Sequence, residues 1–154
     1  MRMPNAHLAC APASIEESLS EAEELCARRG GNLTPLRRKV LSLLLASDRP
    51  VKAYDLLQHL RDDGESKPPT IYRALDFLLD MGLAHKVESL GAFTRCGHWR
   101  HGHAAIFLIC SGCGEVQELH ADETIRKLAK DVASVKFRMQ RSVIEVLGLC
   151  AHCV

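Results

Sequence analysis

An α+β chain in two small parts is what this sequence predicts, with helices and a short hairpin first and a small α/β part second. Three observations carry that expectation. Apolar residues recur at helical spacing from Ser14 to Gly82, short runs of strand character take over beyond Leu83, and two Cys-x-x-Cys pairs enclose the last strand-helix-strand stretch. With 154 residues and 47% apolar content the chain can build one or two small cores. No run approaches the ~18 apolar residues of a membrane span, and the N-terminus lacks the regions of a secretory signal. A soluble cytoplasmic protein with no membrane partner is therefore expected.

Residues 1–13 are rich in Ala and Pro and are expected to form a loose tail. Ser14 followed by Glu17 has the pattern of a capping box, so the first helix starts there. Ile15, Leu19, Ala22, Leu25 and Cys26 supply its apolar positions, and Gly30 and Gly31 end it. Thr34 and Pro35 open a second helix with the stripe Leu36, Val40, Leu43 and Leu44, broken at Asp48 to Pro50. Ala53, Leu56, Leu57 and Leu60 mark a third, and Asp62 to Lys67 a polar turn. Pro68 and Pro69 are tolerated only in a first turn, so a fourth helix begins there and runs through Ile71, Ala74, Leu75, Leu78 and Leu79 towards Gly82. Leu83 to Ser89, Gly91 and Phe93 to Cys96 then read as a hairpin.

Three helices, a proline-started fourth and a hairpin are the parts of a winged helix-turn-helix, a DNA reader. The fourth helix leaves Thr70, Arg73, Asp76 and Asp80 opposite its apolar stripe, and Arg73 has the fork that reads guanine in the major groove. A surface arginine on a solvated face is the alternative reading. Net charge is only +1, and residues 1–86 hold 12 basic and 12 acidic side chains. A nucleic-acid footprint must then be local, at Arg37, Arg38 and Lys39, at Lys52, and at Lys67 and Arg73.

In the second part, Ala104 to Ile109 reads as a strand and Glu115 to Leu119 as another. Asp122 caps a helix with Ile125, Leu128, Ala129 and Val132 on one face, and Phe137 to Leu147 forms a final strand. So small a sheet has open edges, and metal stapling and pairing with a second copy are its remedies. Cys110/Cys113 and Cys150/Cys153 provide the staple, about 40 residues apart, with Gly112, Gly114 and Gly148 beside them. Four thiolates suit one tetrahedral zinc ion. The alternatives are two chance cysteine pairs or a redox Cys-x-x-Cys, but a redox motif comes singly beside a βαβ pattern, and here there are two matching pairs. Of the seven cysteines, Cys26 reads as a small buried hydrophobe and Cys10 has no partner to name.

Ala53-Tyr54-Asp55-Leu56-Leu57, Lys67 to Leu75, His85 to Ser89 and the two cysteine pairs together resemble the ferric uptake regulator family, in its zinc uptake regulator branch, over about residues 14–154. The resemblance implies a winged-helix DNA-binding domain at 14–96, a hinge at 97–102 and a dimerisation and metal-binding domain at 103–154. It implies a zinc-responsive repressor, a homodimer that binds palindromic double-stranded operators of zinc-acquisition genes. Such a protein is not an enzyme and takes no small-molecule substrate. It further implies about two zinc ions per subunit: a structural one at Cys110, Cys113, Cys150 and Cys153, and a regulatory one at His85, Cys96, His103 and Glu118. One thiolate, two imidazoles and one carboxylate also suit tetrahedral zinc on chemical grounds. His98, His101 and His120 lie near in sequence and belong either to a solvated hinge or to a further weak site.

For the reader, Arg73 is expected at base edges and Tyr54 at either a base or the backbone, with Arg38, Lys52, Thr70 and Tyr72 on phosphates. The segment Gly97 to His103 is a poor source of hard oxygen ligands, which departs from the iron-sensing branch, and Trp99 within it has no counterpart in the family pattern. The rival readings are an iron, manganese or peroxide sensor of the same family, a zinc-ribbon interaction module without an operator, and a zinc hydrolase or deaminase. The last is disfavoured, because a closed four-thiolate set leaves no open coordination position.

Overall fold

The computed structural model describes residues 14–61, 67–97, 99, 105–139 and 142–154. The chain divides into two compact units, Met1–Lys86 with Gly91–His98, and Val87–Leu90 with Trp99–Val154. The fold is α+β, as the sequence predicts. The second unit takes in Val87–Leu90, which the expected boundaries assign to the first domain.

In the first unit, α1 (Ile15–Arg28) starts at the capping box expected for it. Glu17 N–H donates to Ser14 Oγ at 3.2 Å and Ser14 N–H to Glu17 Oε2 at 2.8 Å, which satisfies two amides that the helix leaves over. Its buried face is Ser18, Leu19, Ala22, Leu25 and Cys26. Ile15, expected on that face, is 42% exposed because it sits in the first turn, ahead of the packed region. Thr34 caps α2 (Pro35–Ala46), where Val40, Leu41 and Leu44 are buried. Leu36 and Leu43 are only half-buried, so the stripe is turned towards Leu41, which the spacing argument left out.

A two-residue strand, β1 (Val51–Lys52), precedes α3 (Ala53–Arg61), whose buried set is Ala53, Leu56, Leu57 and Leu60 as expected. The polar turn at 62–66 lies outside the described residues. Next comes α4 (Pro68–Asp80), opened by its prolines, with Ile71, Ala74, Leu75 and Leu78 buried. The hairpin follows as β2 (Ala84–Val87), a 3-10 turn (Glu88–Leu90) and β3 (Ala92–Arg95). β3 lies between β1 and β2, with Val51 opposite Phe93 and Lys52 opposite Ala92. β1 was not foreseen, because two residues are too few to show a period. The core is aliphatic: Val40, Leu41, Leu44, Leu56, Leu60, Ile71, Leu75, Leu78 and Leu83 are all essentially inaccessible. Each such side chain contributes roughly 1.5–3 kcal/mol by leaving water, so this unit has a core of its own.

The second unit is thinner. A mixed sheet places β4 (Ala105–Cys110) between β5 (Val116–His120), antiparallel to it, and β6 (Ile144–Gly148), parallel to it. α5 (Asp122–Ser134) connects β5 to β6. Asp122 is the first helical residue and not its cap; Ala121 holds that position and offers no side-chain bond. The apolar face Ile125, Leu128, Ala129 and Val132 is half-buried, and no α5 residue is fully buried. The final strand is shorter than expected. Lys136 takes a left-handed φ of 60° and leaves Phe137 67% exposed, so pairing starts only at Ile144. The fully buried cluster is Val87, Phe107 and Ile109, flanked by Ala105 and Val116.

Glu145 on β6 ties down the 3-10 turn. Its carboxylate accepts Glu88 N–H at 2.5 Å and Ser89 N–H at 3.1 Å. Hydrogen bonds from the Ser89 side chain, the Ser89 amide and the Glu88 amide hold its carboxyl below the ordinary carboxylate range. A lowered folded pKa means stabilisation that is complete above the unfolded glutamate value of ~4.3 and lost as pH falls through the folded value. Glu145→Gln should cost about 1 kcal/mol at pH 7, since its amide oxygen is a weaker acceptor. It should also narrow the difference in denaturation midpoint between pH 7 and pH 4 relative to the native chain. An unchanged difference would remove Glu145 from the acid response.

Candidate metal centres and nucleic-acid interface

The two cysteine pairs close on one another at the ends of β4 and β6. Cys110 ends β4, and Gly114 N–H donates to Cys110 C=O at 2.9 Å while Cys110 N–H donates to Glu115 C=O at 2.9 Å. That reversal needs a left-handed residue, and Gly114 supplies φ 73°. Opposite it, Ser111 N–H donates to Gly148 C=O and Cys153 N–H to Cys150 C=O, both at 2.8 Å. Gly112 is the point of closest approach, since a Cβ there would stand 3.1 Å from both Cβ and Sγ of Cys153.

The four sulfurs lie within 4.8 Å of one another, and Cys113 Sγ is 3.7 Å from Cys150 Sγ. Thiolates ~2.3 Å from a tetrahedral ion stand ~3.8 Å apart, so the donors fit zinc. The thiols themselves are poised for a cation. The amides of Cys150, Cys113 and Gly112 lower the Cys110 thiol to about 6, and Cys150 N–H reaches its sulfur at 3.3 Å. Cys153 is pushed up to about 12 by the sulfurs of Cys150, Cys110 and Cys113. One thiol ionises readily, and the last does so only against a positive charge. Four soft donors are the number that fills a tetrahedral coordination sphere without water.

The expected regulatory ligands are distributed over both units. His85 is on β2 and Cys96 directly follows β3, and their ligating atoms lie within 4.8 Å of each other. Cys96 is 2% exposed, held in place by its N–H bond to Leu83 C=O at 2.9 Å. Glu118 stands on β5 opposite Phe107, half-buried. His103, like His98 and His101, lies outside the described residues. His120 ends β5, with Nε2 3.9 Å from the Asp122 carboxylate. Trp99 is half-buried, and its Nε1 has no hydrogen-bond partner among the described residues.

On the first unit the expected DNA-contacting groups are open to solvent. Tyr54 is 64% and Tyr72 53% exposed, and Lys52, Thr70 and Arg73 are exposed as well. The Tyr54 hydroxyl accepts from Gln58 Nε2 at 2.6 Å, one turn on along α3. Arg38 differs from the rest. Its guanidinium pairs with Glu16 and, at 3.2 Å, with Glu23, both on α1. Two carboxylates already oppose its charge, so a phosphate has to compete for it. Sequence reasoning missed that pairing, although Glu16 and Glu23 are two helical turns apart and so share one face of α1.

The second unit exposes an apolar surface along β6 and beyond: Val146, Leu147 and Leu149 are 48%, 65% and 55% exposed. An apolar groove of about 250 Å³ runs beside them, lined by Leu108, Gln117, Val146 and Leu149. Among the described residues no helix is long and apolar enough to cross a membrane.

The chain is 43% identical to the zinc uptake regulation protein of Escherichia coli (strain K12) over 143 residues, 92% of this chain and 84% of that one. It superposes on a solved zinc uptake regulator complexed with zinc and DNA with a TM-score of 0.85, at 41% identity over 91% of this chain and 95% of that one. It superposes on holo XcZur with a TM-score of 0.82, at 39% identity over 90% and 97% of the two chains. Residues 28–147 match the sequence profile of the Ferric uptake regulator family, and with these relatives they show that the chain belongs to that family.

Proposed function

We propose that this protein is a zinc-responsive transcriptional repressor, a homodimer that binds palindromic operators of zinc-acquisition genes when loaded with zinc, and that it is a cytoplasmic regulator and not an enzyme. The observation that carries the reading is its 43% identity, over 92% of the chain, to a protein named for zinc uptake regulation. The relative solved with both zinc and DNA supports it. So does the donor chemistry, which is rich in thiolate and imidazole and poor in the oxygen ligands that harder cations prefer.

About two zinc ions per subunit are proposed. Cys110, Cys113, Cys150 and Cys153 hold the structural ion. His85 and Cys96 of the first unit, with His103 and Glu118 of the second, hold the regulatory one. When bound, zinc supplies a tetrahedral bridge among these side chains. Donors drawn from both units restrict the orientation of the DNA-reading unit, so that two copies match the two halves of a palindrome. The metal-free protein samples more orientations, and affinity follows the fraction that is competent.

On the reader, Arg73 faces bases, Tyr54 reaches either a base or the backbone, and Lys52, Thr70 and Tyr72 hold phosphates. Arg38 joins them only where DNA displaces Glu16 and Glu23. Arg73→Ala should lower affinity for the operator by roughly 10- to 100-fold and relax sequence preference. Lys52→Ala should weaken all duplexes alike and reduce the salt slope by about 1. Equal losses on operator and random DNA for Arg73→Ala would refute its role in base readout. The reading as a whole is tested by titrating zinc into protein already loaded at the four cysteines while following binding to a palindromic promoter duplex. Binding that rises with zinc, and less with iron or manganese, is expected. Binding to no duplex would leave an interaction module, and a preference for iron or manganese a sibling sensor.

A further inference from the structure

Two donors in the second unit, Glu115 and His152, belong neither to the closed cysteine site nor to the proposed regulatory one, and they stand beside a cysteine of the former. Ligating atoms of Glu115, Cys150 and His152 lie within 4.8 Å of one another. The local backbone brings this about. The bond from Cys110 N–H to Glu115 C=O, at 2.9 Å, places Glu115 where the chain leaves the first cysteine pair. In the second pair, Cys153 N–H and Val154 N–H both donate to Cys150 C=O, at 2.8 and 3.2 Å. That turn folds His152 back beside the Cys150 sulfur. His152 is exposed, and its imidazole makes no hydrogen bond among the described residues. Glu115 is half-buried, with one carboxylate oxygen accepting from Gln117 Nε2 at 3.1 Å.

We propose that Glu115, Cys150 and His152 form a second, solvent-open site for a borderline or soft divalent cation, sharing the Cys150 thiolate with the closed four-cysteine site. A thiolate bound to one cation keeps lone pairs with which to bridge a second. The remaining donors are one imidazole and one carboxylate, a set that zinc, cobalt or cadmium accepts and that magnesium and calcium do not. Ligands ~2.0–2.3 Å from a tetrahedral ion stand about 3.3–3.7 Å apart, so the three donors close around an ion by side-chain adjustment alone. Three protein ligands leave one position for water, and such a site exchanges its ion, unlike the closed site beside it. The arrangement gives an incoming cation a first foothold on Cys150 at the surface.

The inference rests on the four-cysteine site holding metal, and its test keeps the two apart. Full-length native protein and a Glu115→Gln/His152→Asn variant are each loaded with one zinc per subunit and titrated with cadmium, with bound equivalents measured by dialysis and cadmium-113 resonance. A Cys96→Ser background removes the proposed regulatory site from the count. The expected result is one extra, weakly held equivalent in the native sequence, weakened at least tenfold in the double variant. Its resonance should couple to the Cys150 β-protons. Both proteins should keep the four-thiolate ion, and with Cys96 intact both should keep zinc-dependent operator binding. Equal equivalents and affinities in the two proteins would overturn the proposal. So would loss of the four-thiolate ion from the double variant, because Glu115 and His152 would then only support that site. Failure of the regulatory reading shows elsewhere, as metal-dependent DNA binding that survives Cys96→Ser.

Discussion

Cys113→Ser is expected to unfold the second unit and abolish the dimer while leaving the first unit folded. The asymmetry follows from the cores. The first unit buries nine large aliphatic side chains from Val40 to Leu83 almost completely, whereas the fully buried cluster of the second is Val87, Phe107 and Ile109. A three-stranded sheet with that little core and two open edges is marginal alone. Structural zinc contributes an apparent ~10–16 kcal/mol to folding in comparable small sites, so removing one of four thiolates takes away more than the sheet has in reserve. Sedimentation should show monomer, and hydrogen exchange should show lost protection in β4, β5 and β6 with α2 and α4 unaffected. Chelation of the native protein should reproduce the result. Acid should do so too, because loading at pH 7 displaces protons from thiols such as Cys113 and Cys153, which their neighbours hold neutral without the ion. Cys110 is the exception, already lowered to about 6. A Cys113→Ser protein that stays dimeric, with native protection in the sheet, would contradict this division of labour.

The same asymmetry decides what could be read from the sequence. The helices of the first unit were legible because each carries a local start signal, Ser14 with Glu17, Thr34 with Pro35, and Pro68 with Pro69, and because a 3.6-residue period persists over three turns. The four cysteines were legible because ligand spacing is a local property of the chain. What escaped depends on distant partners. β1 exists only because β3 pairs with it, and Leu41 is buried because the packed face of α2 is set by its neighbours and not by its own period. The last strand was read seven residues too long at its start, since the left-handed turn at Lys136 carries no glycine to announce it. In the proposed sites, His85 and Cys96 come together through strand pairing, which no spacing in the sequence encodes. Their residue types were visible, and the family resemblance supplied the grouping.

Cys96→Ser should leave fold, dimer and the four-cysteine ion intact and remove zinc-dependent operator binding, by on the order of 10²-fold. Cys96 is 2% exposed directly after β3, with its N–H bonded to Leu83 C=O, while the leucine core of its unit is carried by the helices and Leu83. Serine is nearly isosteric, so packing changes little. What is lost is the one thiolate of the proposed regulatory set, and a neutral hydroxyl is a far weaker zinc ligand than a thiolate. The two imidazoles and the carboxylate that remain bind zinc less tightly and less selectively. At zinc levels that saturate the native protein, the variant then behaves as the metal-free form. Its residual affinity should equal that of native protein stripped at this site alone, and raising zinc a hundredfold should restore part of the difference. Cys96→Ala separates chemistry from packing, since it should give the same loss without a buried hydroxyl. Operator binding that stays zinc-dependent in both variants, at native zinc concentrations, would remove Cys96 from the sensing site and with it the role proposed for His85 beside it.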